Sequence, residues 1–99
     1  MTELAVVLEE GFDDDPVTVW IGDTVRFVED SVTTRPQVGY ARRFTLDLDD
    51  GEVELTVDVG SGEGSATFTV PVGEVTNVGI SLEDGSITHR TASEPFPYA

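Results

Sequence analysis

Apolar and polar residues alternate with period two in segment after segment of this chain, and no window carries an apolar stripe at helical spacing over three turns. Phe44, Leu46 and Leu48 alternate with Arg43, Thr45 and Asp47; Val53, Leu55, Val57 and Val59 alternate with Glu54, Thr56 and Asp58. Every break carries a turn signal: Gly11 to Pro16, Gly22-Asp23, Asp50-Gly51, Gly60 to Gly64, Pro71 to Gly73 and Asp84-Gly85. The pattern predicts eight strands, over residues 3–10, 16–21, 25–29, 40–48, 52–59, 65–71, 75–82 and 86–91, spaced as in an antiparallel β-sandwich, Greek-key or transthyretin/immunoglobulin-like.

Three turns predict hairpin registers. A two-residue type I′ turn at Asp84-Gly85 pairs Leu82 with Ile87 and Ile80 with His89. The same turn at Asp50-Gly51 sets Leu48 against Val53, Leu46 against Leu55 and Phe44 against Val57 on one face. Its other face then pairs Arg43 with Asp58 and Thr45 with Thr56, and sets two like charges, Asp47 and Glu54, against each other. Around Gly22-Asp23 a three-residue loop including Thr24 brings Ile21 to Val25 and Val19 to Phe27, leaving Trp20 opposite Arg26 on the outer face. The longest connection, Asp30 to Gly39, is where irregular, functional backbone is expected. Residues 1–92 read as one sandwich domain, and residues 93–99, with prolines at alternate positions, read as an extended tail.

Charge changes this picture most. Twenty acidic residues against five basic ones give a net charge of −15, and every basic residue is an arginine: Arg26, Arg35, Arg42, Arg43 and Arg90. So negative a surface repels nucleic acid and anionic lipid, while molar salt screens its self-repulsion within about 3 Å. The absence of cysteine removes disulfides, thiolate metal sites and a thiol nucleophile. The first apolar run, Leu4 to Leu8, is too short for a signal-peptide core or a membrane span. A soluble cytoplasmic protein is the expectation.

Glu9 to Asp15 holds five carboxylates in seven residues. Calcium takes six to eight oxygens, and sandwich domains collect them from loops at one end, which makes Asp13, Asp15 and Asp30 the candidate ligands. That run lacks the alternating spacing of a calcium loop, and Pro16 holds Asp15 extended, so solvated acidic surface is the stronger reading. His89, the only histidine, falls on the inward side of the last strand and reads as a half-buried core residue. No nucleophile elbow, phosphate loop or zinc-protease motif is present, and Gly60 to Gly64 joins strand to strand without a lysine or a following helix. No enzyme is expected.

Arg35, Arg42 and Arg43 crowd into nine residues beside Tyr40, Thr33 and Thr34. Forked guanidinium groups suit a carboxylate or an acidic partner; alternatively they neutralise nearby carboxylates, as an Arg43–Asp58 pair does. Trp20 opposite Arg26 reads equally as an exposed cation–π pair or as a second candidate surface, because tryptophan and arginine anchor interfaces. In the tail, Phe96 is expected to tuck against the sandwich, with recognition by a partner through Phe96 and Tyr98 as the alternative.

Acid excess without lysine resembles the composition of salt-accumulating archaea, with a high-GC bacterium as the other source. Gly11-Phe12 with Val17 and Val19, Thr33-Thr34, and Glu94-Pro95-Phe96 with Tyr98 resemble small uncharacterised prokaryotic single-domain β-sandwich proteins. That resemblance implies a complete protein and transfers no activity or cofactor. The sequence therefore predicts a non-catalytic protein-binding or structural module adapted to high salt, binding a protein partner or a second copy through Trp20, Arg26, Arg35, Tyr40 and Arg42. Calcium binding is the alternative.

Overall fold

The period-two segments become strands because each offers one apolar face to a shared interior. The computed structural model describes residues 2–35, 37–60 and 64–96, which form β1 (Thr2–Leu8), β2 (Asp15–Ile21), β3 (Thr24–Val32), β4 (Arg42–Leu48), β5 (Gly51–Val59), β6 (Gly64–Val72), β7 (Asn77–Glu83) and β8 (Ser86–Ala92). They make two four-stranded sheets, ordered β4-β1-β7-β8 and β3-β2-β5-β6. The molecule is an all-β sandwich. Between the sheets lie Leu4, Val6, Leu8, Val17, Val19, Leu46, Leu55, Val57, Val59, Val70, Val78 and Ile80, all buried. No helix among the described residues is long and apolar enough to cross a membrane.

One pairing departs from the antiparallel expectation. β1 runs parallel to β7, from Ala5 beside Asn77 to Leu8 beside Ile80. This central pair is buried on both faces, as parallel strands usually are: Ala5 and Val7, which point away from the interior, are as hidden as Leu4 and Val6.

The Asp84-Gly85 hairpin forms in the expected register, Leu82 beside Ile87 and Ile80 beside His89, with φ of 50° and 78° at its two turn residues, the left-handed pair that a type I′ turn requires. Asp50-Gly51 does not. Gly51 has φ 127° and Asp50 is not left-handed, so the chain crosses from one sheet to the other. β4 pairs with β1 and β5 with β2 and β6. Leu48–Val53, Leu46–Leu55 and Phe44–Val57 are consequently not strand partners, and the Arg43–Asp58 neutralisation fails: Arg43 lies beside Val7, Asp58 beside Thr18 and Ser65. Asp47 meets Glu3 instead of Glu54, so a like-charge neighbour persists with a different partner.

Around Gly22-Asp23 the loop has two residues, with Ile21 beside Thr24, and a bulge between Val19 and Trp20 restores the expected Val19–Phe27 pair. The extra residue is Arg26, and Trp20 therefore faces Val25. Strand β3 also runs on to Val32, beyond the predicted end, because a second irregularity brings Val32 beside Asp15.

Each long side of the sandwich, where the outermost strands of the two sheets face each other, is closed by stacked rings. Phe27 of β3 stacks on Phe44 of β4 with centroids 3.9 Å apart, and Phe68 of β6 stacks on His89 of β8 at 3.8 Å. His89 has the inward register expected of it, but it sits at the open side and is exposed. Its ring is spent on Phe68, not on the core.

Candidate functional site

The connections after β1, β3 and β7 and the start of the one after β5 gather at one end. There Thr34 donates its amide to the Phe12 carbonyl, Leu82 to the Glu10 carbonyl and Gly60 to the Pro16 carbonyl. Gly11 permits this closeness: with φ 87°, a Cβ there would fall 2.0 Å from the Leu82 carbonyl oxygen. The acidic turn is held by hydroxyls. The Phe12 amide donates to Thr34 Oγ1 at 3.1 Å, the Asp14 amide to Thr33 Oγ1 at 2.9 Å, and the Ser31 hydroxyl to the Asp14 carboxylate. Asp14 itself takes φ 55°. Asp15 is buried at the start of β2 and accepts the Asp13 amide at 2.9 Å. Of the proposed calcium ligands, Asp15 is thus engaged with backbone and Asp30 is exposed on β3; the described residues contain no group of three or more His, Cys, Asp or Glu arranged to hold a metal ion. Within the Gly60 to Gly64 loop, residues 61–63 lie outside the described residues, as does Tyr98.

The candidate partner residues, by contrast, come together. Arg26, Phe27 and Val28 lie on β3, Arg35 and Tyr40 form a bridge in the following connection, and Arg42 opens β4. Because β3 and β4 are the outermost strands on the same side, one continuous edge carries four of the five arginines: Arg26, Arg35, Arg42 and Arg43. Arg42 reaches across the gap between the sheets, its Cζ 5.9 Å from the Phe27 ring centroid. Below the Phe27–Phe44 stack the edge opens into a cleft of about 240 Å³ lined by Glu29, Ser31, Thr33, Arg35 and Arg42 over Val32 and Ala41.

Around the corner, on the outer face, Trp20 pairs with Val25 and Thr18 with Val28. Val25 is 45% and Val28 58% exposed, so an apolar patch adjoins the arginine edge. Trp20 is half-buried; among the described residues no guanidinium stacks on it, and the proposed Trp20–Arg26 pair is replaced by Arg42 over Phe27 and Arg90 over Phe96.

Sequence reading missed the most constrained charge. Glu9 continues the outer face of β1, and its carboxylate, with a side chain 6% exposed, accepts Arg90 Nε at 3.0 Å and Nη2 at 2.5 Å. It occupies the space left by Gly79, where a Cβ would lie 2.2 Å from Oε1. Arg90 Cζ lies 4.1 Å from the centroid of the Phe96 ring, so Phe96 packs against the sandwich as expected. The only local signal was Glu9 following an uninterrupted apolar run.

Among the described residues Glu9–Arg90 is the one ion pair. Arg26, Arg35, Arg42 and Arg43 have no described carboxylate within ion-pair distance and make no side-chain hydrogen bond to a described residue. No protein-family model matches this chain, and neither a curated protein nor a solved structure resembles it closely enough to be called similar.

Proposed function

We propose that this protein is a non-catalytic binding module that takes a protein partner along its β3–β4 edge. One observation carries the reading: in a chain with twenty carboxylates, four of five arginines line a single edge with no described carboxylate within ion-pair distance of them, Glu29 of the same cleft included. Arginines retained for neutralisation belong beside acids. Arginines held for an outside partner are found where these are, exposed and next to an apolar patch of Trp20, Val25 and Val28, the residue mixture that interfaces favour. Strand β3 also has hydrogen-bonded contact with β2 alone, which leaves its other edge open to an added strand.

The test is selection of binders from a displayed library of random linear peptides, carried out in about 1 M KCl so that only short-range contacts select. Enriched peptides are expected to lose binding to a variant carrying Arg26→Glu and Arg42→Glu, and to quench or enhance Trp20 fluorescence in the parent. Failure to enrich any peptide, or binders indifferent to the charge reversal, would remove the reading.

A further inference from the structure

We infer that the cleft below the Phe27–Phe44 stack is a seat for a carboxylate, and that the segment this edge takes is an acidic, extended stretch of a partner protein. The inference rests on the edge-binding reading and specifies what the edge recognises.

Two arginines, Arg35 and Arg42, line the cleft from different elements. Each offers a planar fork of donors that matches the two oxygens of a carboxylate. Arg42 is positioned beside the Phe27 face while its N–H groups remain uncommitted to any described residue. Thr33 Oγ1 already accepts the Asp14 amide, so its hydroxyl hydrogen is available to a third acceptor in the same cleft. At about 240 Å³ the space falls below the roughly 300 Å³ at which pockets for small molecules begin, yet it accommodates one side chain. Glu29 also lines the cleft and is not within ion-pair distance of either arginine. A bound carboxylate therefore lies on the arginine side, with Glu29 opposing it.

A second copy of this chain fits less well. A two-fold contact through β3 or β4 would set Arg26, Arg42 and Arg43 near their own counterparts, and a head-to-tail contact onto the acidic faces would not close. A nucleic acid carries a charge at every step and meets the full repulsion of a −15 molecule, whereas a short acidic peptide presents few charges and its forked contacts survive screening.

The experiment is fluorescence anisotropy of a labelled ten-residue peptide of alternating Glu and Thr, and of its Gln-Thr counterpart, titrated with the parent protein in about 1 M KCl. The Glu peptide is expected to bind at least roughly tenfold more tightly than the Gln peptide, a charged hydrogen bond being worth about that factor. Arg42→Lys, which keeps the charge and loses the fork, is expected to forfeit most of that preference, and Glu29→Gln to strengthen binding several-fold. Equal binding of the Glu and Gln peptides, full retention by Arg42→Lys, or no response to Glu29→Gln would overturn the seat. Concentration-dependent dimerisation abolished by Arg42→Glu would assign the edge to a second copy instead. Edge binding of neutral peptides alone would leave the proposed function standing and remove the carboxylate seat.

Discussion

Replacing Arg90 by methionine isolates what holds the outer face of the β4-β1-β7-β8 sheet. The methionine keeps an apolar stem for Phe96 to rest on but takes two donors, at 3.0 and 2.5 Å, from the Glu9 carboxylate, whose side chain is 6% exposed. Breaking a buried pair by deleting one member costs about 3–5 kcal/mol. Arg90 is 54% exposed, so water can take over some of its role and the expected loss is lower, about 2–3 kcal/mol. For a chain of this size each kcal/mol moves the melting temperature by about 4–8 °C, which predicts a fall of roughly 10–20 °C. Circular dichroism and Trp20 fluorescence melts at fixed ionic strength read it. The companion variant Glu9→Gln removes the buried negative charge, so the double variant should melt above Arg90→Met alone. If Arg90→Met melts within about 2 °C of the parent, or if the double variant is no more stable than the single, the ion pair is not what that face depends on.

Gly79→Ala should lose about 1–3 kcal/mol, since its Cβ would lie 2.2 Å from Glu9 Oε1, and should lose less in a Glu9→Ala background; a thermal double-mutant cycle decides. Gly11→Ala should cost more than about 1 kcal/mol because its φ is 87° and its Cβ meets the Leu82 carbonyl, as denaturant titration would show. Phe27→Ala should cost about 2–3 kcal/mol by opening the stack on Phe44, less than a fully buried phenylalanine does. Stability should climb with monovalent salt and then level off as the −15 charge is screened, and millimolar calcium should add nothing beyond its ionic strength; a calcium-specific shift in the melt would contradict the reading that Asp13, Asp15 and Asp30, which form no metal-holding group among the described residues, act as solvated acids.

Most of the strands were legible because period-two patterning reports a one-sided environment directly; β1, an apolar run buried on both faces, was bounded by the turn signal that follows it. The patterning reports the inward face and nothing about which strand lies alongside. Phe44, Leu46 and Leu48 point inward whether β4 pairs with β5 or stands in the opposite sheet, so a consistent register across Asp50-Gly51 was satisfied by a hairpin that does not exist. The charge clash it created, Asp47 on Glu54, was the local warning. Turn chemistry could not arbitrate, since Asp84-Gly85 and Asp50-Gly51 share a sequence and only the first adopts two left-handed residues. At Gly22-Asp23 the apolar match of Val19 with Phe27 was legible, while the bulge that produces it was not. The grouping of Arg26 with Arg35 and Arg42 depends on β3 and β4 being edges on the same side, a property of the whole topology. The Glu9 seat depends on Gly79, seventy residues away, being opposite Arg90.

That division suggests a comparison in which stability and binding answer oppositely. Arg90 is the arginine whose charge the fold itself uses; Arg26, Arg35 and Arg43 are exposed and touch no described carboxylate. Surface substitutions free of such contacts normally change stability by less than about 0.5 kcal/mol. Arg26→Gln, Arg35→Gln and Arg43→Gln should therefore each leave the melt within a few degrees of the parent, or raise stability relative to it if the edge arginines repel one another. The same substitutions at Arg26 and Arg35 should weaken peptide capture, and Arg90→Met, compared at a temperature where it remains folded, should not. A melt lowered by more than about 1 kcal/mol in any of the three would mean that their charges serve the fold after all. Part of the acid surplus would then be answered internally, and the edge would lose its claim to a partner.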